Sequence, residues 1–408
     1  MKKQRIIDIN KWVENMEEEE KEEIEISEEK PKKTNKGKVI KILVFIFLIG
    51  LIVTIVFLYR ENRDIQNFID ENVLRKVVQE DQSDNIKYTS DGNTNIYAFG
   101  KYIGILSNNI LTVYNQYGRQ EYSLTIAVTT PIFYSSGKYL AIAEKDGNKI
   151  YLVADRNIVW QTDTEGKIEK IIVNKNGYIA VAVSQASYKN VVIAYNQNGK
   201  ELCKTFLSST YAADMDISGD NKNLAIAETN LSGIQLKSTI RVVSLDMVQE
   251  NSENAVIYKE EIGTDSLITN IHYDSKNRII CMLSDRITKI EKGEKEDIVT
   301  YDEDVLFADV LLKNHVIEIT QNDAEIKVRT INISNKEDVR EYIIREIPKE
   351  IYTKGNTIIV HAGNEIYFID ETGFLNQKYI AKQEIKNIVV SDNIAGIIYR
   401  NKIEIINF

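Results

Sequence analysis

One phrase recurs eight times in this sequence: a turn, then a short apolar strand. It reads GKYIGILS from Gly100, SGKYLAIAE from Ser136, NGYIAVAVS from Asn176 and GDNKNLAIAE from Gly219. It continues as SKNRIICMLS from Ser275, KNHVIEIT from Lys313, KGNTIIVHA from Lys354 and SDNIAGIIY from Ser391. Counted from Tyr102, Tyr139, Tyr178, Asn223, Arg278, His315, Thr357 and Asn393, the steps are 37, 39, 45, 55, 37, 42 and 36 residues. A period near forty made of strands alone predicts propeller blades.

Each copy repeats one internal grammar. A strand such as TPIFYS or AADMDIS leads into the turn, and the apolar strand follows. A third strand comes next (ILTVYN, KIYLVAD, NVVIAYN, TIRVVSLD, EIYFID). A hairpin turn (NQYG, NQNG, DETG) then leads to a weaker fourth strand such as QEYSLTI or KELCKTF. The second strand is apolar on both faces, whereas a sheet with one wet face would alternate polar and apolar residues. Its small residues, Gly104, Ala141, Ala143, Ala180, Ala182, Ala225 and Ala227, allow close approach of inner strands.

Closure follows from a shortage. The eighth copy supplies three strands, and NIKYTS at Asn85–Ser90 is one strand without a blade. If it completes the last blade, the ring shuts with no long edge open. The fold class expected is therefore all-β: an eight-bladed propeller over 86–408, or a seven-bladed one if a divergent copy within 240–310 is misread.

Ahead of the repeats, Ile42–Tyr59 is an uncharged run in which fifteen of eighteen residues are Ile, Leu, Val or Phe. Such a run favours the bilayer by roughly 6 kcal/mol and nearly spans its core as a helix. It lies too far from the N-terminus, and lacks the small-x-small site, for a cleaved signal peptide. The expected span is 39–59, in contact with the lipid bilayer. Lys30, Lys32, Lys33, Lys36, Lys38 and Lys41 crowd its N-terminal flank, while Arg60 and Arg63 lie beyond it. The positive-inside rule puts the N-terminus in the cytoplasm and the repeats outside.

Residues 1–38 read as a disordered acidic tail, since Glu14–Glu29 holds ten glutamates and one lysine. With Trp12 in its RIIDINKWV segment, the tail could dock a cytoplasmic partner. Residues 60–85 read as a helical stalk and linker, with Ile65, Phe68, Ile69, Val73, Val77 and Val78 at helical spacing.

A net charge of −10 without a basic patch argues against nucleic acid. The chain has no Walker loop, GxSxG elbow, HExxH or EF-hand calcium loop. His272, His315 and His361 fall in different repeats and read as packed strand residues rather than one metal site. Cys203 and Cys281 read as unpaired strand residues. Asp214 with Asp216, and Asp302 with Asp304, sit at period two, which places each pair on one strand face. Such pairs serve a cation or glycosidic chemistry only when they converge in a pocket. No cofactor and no metal are expected.

The binding expectation rests on one propeller face, where second-to-third and fourth-to-first loops gather. Its longest second-to-third loops by sequence are Ser184–Asn190 and Glu228–Ser238, and the neighbouring fourth-to-first loops include Leu207–Ala212. Glu144 and Glu228 hold equivalent repeat positions there, and with Tyr188 and Tyr211 they form a rim suited to a protein or glycan partner.

The phrase MDISGDNKNLAIAE at Met215–Glu228 resembles the strand, turn and Leu-Ala signature of the WD40-like and quinoprotein-like β-propeller superfamily. The Gly-His and Trp-Asp pair of true WD40 repeats is absent. The repeats hold one tryptophan, Trp160, which speaks against the tryptophan docking motifs of quinone enzymes. The layout is similar to that of an uncharacterised single-span, membrane-anchored propeller family of Gram-positive bacteria, which implies no activity. The function expected is a non-enzymatic scaffold or sensing module at the cell surface. A glycan-directed hydrolase or lyase with an axial site is the alternative.

Overall fold

In a computed structural model, the described residues are 36–408 without 62–64, 66–68, 70–72, 75, 81–83, 90–92, 233, 248–254, 303 and 323–324. The acidic tail through residue 35 and Phe68 of the stalk stripe therefore lie outside them. The chain divides into two units, Met1–Ile69 and Asp70–Phe408.

Within the first unit, α1 (Lys36–Glu61) is one continuous helix. Its stretch Ile40–Tyr59 is long and apolar enough to cross a membrane. Its large apolar side chains from Ile40 to Leu58 are all exposed. A helix that is apolar all round has no polar face to offer water.

The second unit is an eight-bladed propeller. Eight sheets are present among the described residues, and each second strand carries one copy of the recurring phrase. The first seven blades begin at Asn95, Pro131, Lys167, Tyr211, Ile268, Val305 and Pro348. Each runs first strand to fourth in chain order as antiparallel hairpins. Blade 8 takes three strands from Asn387–Asn407. Its fourth is β2 (Asn85–Lys87), antiparallel to Lys402–Asn407 with Ile86 opposite Ile403. The strand left over upstream of the repeats closes the ring, as the strand shortage requires.

The pattern of small and large residues in the second strands sets how blades stack. Leu140 and Ile142 pack back on blade 1, while Ala141 and Ala143 meet Ile171, Val173 and Val181 of blade 3. In blade 3, Ile179 and Val181 face back and Ala180 and Ala182 face forward onto Met215 and Leu224. In blade 4, Leu224 and Ile226 face back and Ala225 and Ala227 face forward onto Ile271 and Cys281. In blades 2–4, period two thus becomes a large face toward the preceding blade and a small face toward the next. In blades 5–7, Ile280, Ile317, Ile319 and Ile359 face the next blade instead. In blade 1, Ile103 and Ile105 face back onto blade 8, and a Cβ at Gly104 would stand 3.0 Å from Leu111 Cδ1 of the same blade. Cys203 and Cys281 are free and buried in these interfaces, and burial pushes the Cys203 thiol up to about 11.

The stalk expectation changes at its end. Val77 and Val78 belong not to a helix but to β1 (Val77–Gln79), which lies parallel to Leu375–Ile380 at the outer edge of blade 7. An outer strand offers unpaired backbone groups, and two β-branched residues suit pairing with it better than a helix. Next to β1, Glu80 is 3% exposed. It accepts from Lys382 N at 2.7 Å and from Lys402 Nζ at 2.8 Å. Lys402 also reaches Glu404 at 2.7 Å, and Glu404 accepts from Tyr379 Oη at 2.8 Å. Tyr379 and Tyr399 hydroxyls meet at 2.6 Å. This buried network fastens blade 7, blade 8 and the entering chain together.

Candidate functional site

The loop face is built differently from its sequence reading. Ser184–Asn190 is not a long loop. Gln185 pairs with Tyr188, which leaves a two-residue turn with Ser187 at φ +78°. In blade 4, Asn230 pairs with Lys237, so the hairpin tip is 231–236.

Glu144 accepts the backbone N–H groups of Thr129 and Thr130, both at 2.7 Å. Glu228 is 1% exposed and bonded to Arg241, and it accepts from Thr210 Oγ1 at 2.8 Å. Equivalent positions thus do equivalent work: each carboxylate holds the loop that enters its own blade. Both support the face from beneath. Tyr188 is exposed, and its ring meets that of Phe206 at 4.8 Å. Lys189 Nζ lies 5.4 Å from the Tyr211 ring centroid, across the junction of blades 3 and 4. Tyr188, Tyr211 and Glu228 therefore cluster at that junction, and Glu144 belongs to blade 2.

Three exposed apolar residues on this face escaped the sequence reading: Phe206, Leu231 and Ile234. The signal was present in TNLSGIQLKS, where apolar residues occupy a hairpin tip that turn chemistry would fill with polar ones.

Along the axis, Asp214 and Asp216 turn toward blade 5. Asp214 pairs with Lys170 at 2.6 Å and accepts from Ile271 N at 2.9 Å. Asp216 accepts from Tyr273 N at 2.7 Å, and the His272 ring nitrogen Nδ1 lies 3.2 Å from it. These carboxylates stitch the innermost strands of blades 3, 4 and 5, a structural use that leaves neither free. Asp302 and Asp304 are exposed and precede the strand Val305–Asp309, so they do not share a strand face. His315 bonds Lys313 O at 3.1 Å and His361 bonds Gly363 O at 3.2 Å, so the three histidines stay apart.

Deeper in the ring lies a cavity of about 380 Å³, bordered by innermost strands of blades 1, 2, 6, 7 and 8. Tyr97 and Phe133 stack in its wall, beside Tyr134. Asp309 and Lys354 line it and are the last residues of their innermost strands, which places them by the first-to-second turns. The cavity therefore sits toward the face opposite Tyr188 and Ile234.

The match that decides the family spans residues 74–408. The chain belongs to a family of unknown function, DUF5711. No curated protein matches the sequence. Among solved structures, the DUF5711 chain is similar to BamB from Moraxella catarrhalis, at 13% identity and a TM-score of 0.49, over 80% of this chain and 99% of that one. It is similar to the Pan2 WD40 domain of Neurospora crassa at 10% identity and 0.45, over 79% and 94%. Apo AztD from Citrobacter koseri gives 12% and 0.43, over 74% and 87%.

Proposed function

We propose that this DUF5711 chain is a non-enzymatic binding module, tethered through 39–59, with its propeller outside the cytoplasmic membrane and a protein partner on the loop face. The observation that carries the reading is the exposed apolar set at blades 3 and 4: Tyr188, Phe206, Leu231 and Ile234. In a fold that buries the apolar residues of every second strand, apolar side chains on hairpin tips cost solubility unless they are covered. Tyrosine beside aliphatic side chains is the composition of an interface centre. The lysine-rich flank ahead of Ile42 supports the orientation, and Trp12 with the glutamate block would then face a cytoplasmic partner.

The test is site-specific photo-crosslinking in cells. A crosslinking residue at position 234 should give one discrete adduct. The same residue at position 117, an exposed tyrosine in a third-to-fourth turn, should not. Equal adducts at both positions, or none at 234, would remove the loop face from the proposal.

A further inference from the structure

The axial cavity presents two opposite charges that do not satisfy each other. Asp309 Oδ1 accepts from Leu311 N at 2.6 Å, and the Thr353 hydroxyl and the His272 ring bear on the same carboxylate. Among the described residues, Lys354 has no side-chain hydrogen bond or ion pair, although Asp309 and Asp392 lie within its field. Thr353 is 3% exposed, and its hydroxyl is turned to Asp309. A half-buried ammonium without a bonded partner costs free energy in the empty protein, which a ligand carboxylate recovers. Burial pushes the Asp309 carboxyl up and the Lys354 ammonium down, each against its charged form. Aromatic rings of Tyr97, Phe133 and Tyr134 border the same space.

We infer that this cavity binds a small zwitterion with an apolar body, an α-amino acid in chemical class. Its ammonium meets Asp309, its carboxylate meets Lys354, and its side chain lies against Tyr97, Phe133 and Tyr134. A neutral sugar would also stack on the rings. It would leave the Lys354 ammonium without an anion in bonding contact, however, and in a site of low dielectric that term outweighs a few hydrogen bonds. A volume of about 380 Å³ is at the small end of ligand pockets, which suits a single amino acid. The inference stands apart from the loop-face reading, because the cavity lies toward the opposite end of the ring.

The experiment is calorimetric titration of the full chain in detergent with L-phenylalanine and L-leucine. Phenethylamine, 3-phenylpropionate and glucose serve as comparators. The amino acids should bind saturably at one site, and each single-charge analogue should bind at least about tenfold more weakly. Asp309→Asn should weaken phenylalanine and phenethylamine and spare 3-phenylpropionate. Lys354→Met should weaken phenylalanine and 3-phenylpropionate and spare phenethylamine. This crossed pattern cannot come from general loosening of the fold, and Lys354→Met carries the test by itself if Asp309→Asn does not fold. Saturable glucose binding without amino-acid binding would overturn the inference. So would an absence of amino-acid binding, or variants that bind like the parent.

Discussion

Glu80 precedes β2 by a few residues and belongs to no repeat, yet its carboxylate joins Lys382, Gln383 and Lys402. Burial works to raise its pKa, and the bonds from Lys402, Gln383 and the Lys382 backbone more than offset this and lower it. A lowered folded pKa gives stability that is present above the unfolded value near 4.3 and is lost as pH falls through the folded one. Glu80→Gln should therefore cost about 2–3 kcal/mol at neutral pH in urea unfolding, a gap that closes on acidification. A constant gap from pH 7 down to pH 3 would contradict this. His272 has the opposite sign. Burial disfavours its charged ring, but the Asp216 bond and the fields of Asp216, Asp274 and Asp309 outweigh that and raise its pKa. Its contribution is complete below about pH 6.5 and fades as pH rises through the raised value. The stability difference between parent and His272→Gln should be widest at pH 5.5 and smaller at pH 8.5; the reverse trend would sink the assignment. Neither role was legible in sequence. Glu80 looks like the last acid of a helix, and the partners of Asp216 come from the next blade.

At the scale of strands, two devices stand out: alternation of small and large residues in blades 2–4, and edge pairing. Ala182 faces blade 4 and is 1% exposed, so Ala182→Leu inserts volume where the next blade already packs. Overpacking of this kind should cost about 1–3 kcal/mol. The same change at exposed Ala186 should be neutral, and equal midpoints for the two would deny the directional packing. The two strands upstream of the repeats should differ in weight. Ile86 is 2% exposed opposite Ile403 inside blade 8, whereas β1 only adds to the outside of a blade that is already complete. Ile86→Pro should lower stability by about 3 kcal/mol or more, and Val78→Pro by much less. If Val78→Pro proves the worse lesion, β1 rather than β2 closes the structure. The recurring phrase announced every second strand, because burial on both faces leaves a mark in composition. β1 left no such mark: a helical stripe and an edge strand can share the same valines, and only an available neighbour decides between them.

For the molecule as a whole, orientation in the membrane is the property most open to direct test. Both native cysteines are buried, so a thiol introduced at Tyr117→Cys reports without background. A membrane-impermeant maleimide should label it in intact cells. Labelling only after lysis would place the propeller in the cytoplasm and remove the proposed partner face from the cell surface. The repeat, its order and its closure were readable in the chain, with eight blades favoured over seven, since repetition and a missing strand are properties of the linear sequence. The apolar helix was readable for the same reason, because twenty residues of one character need no partner to be recognised. What tertiary structure alone decided is which charges meet. Asp214, Asp216 and Glu228, which look like candidate ligands in a linear reading, are consumed by neighbouring strands. Asp309 and Lys354, separated by a full blade of sequence, end up lining one cavity with no bond between them. A carboxylate is structural or functional according to what stands opposite it, and in a closed ring that neighbour is supplied by another turn of the chain.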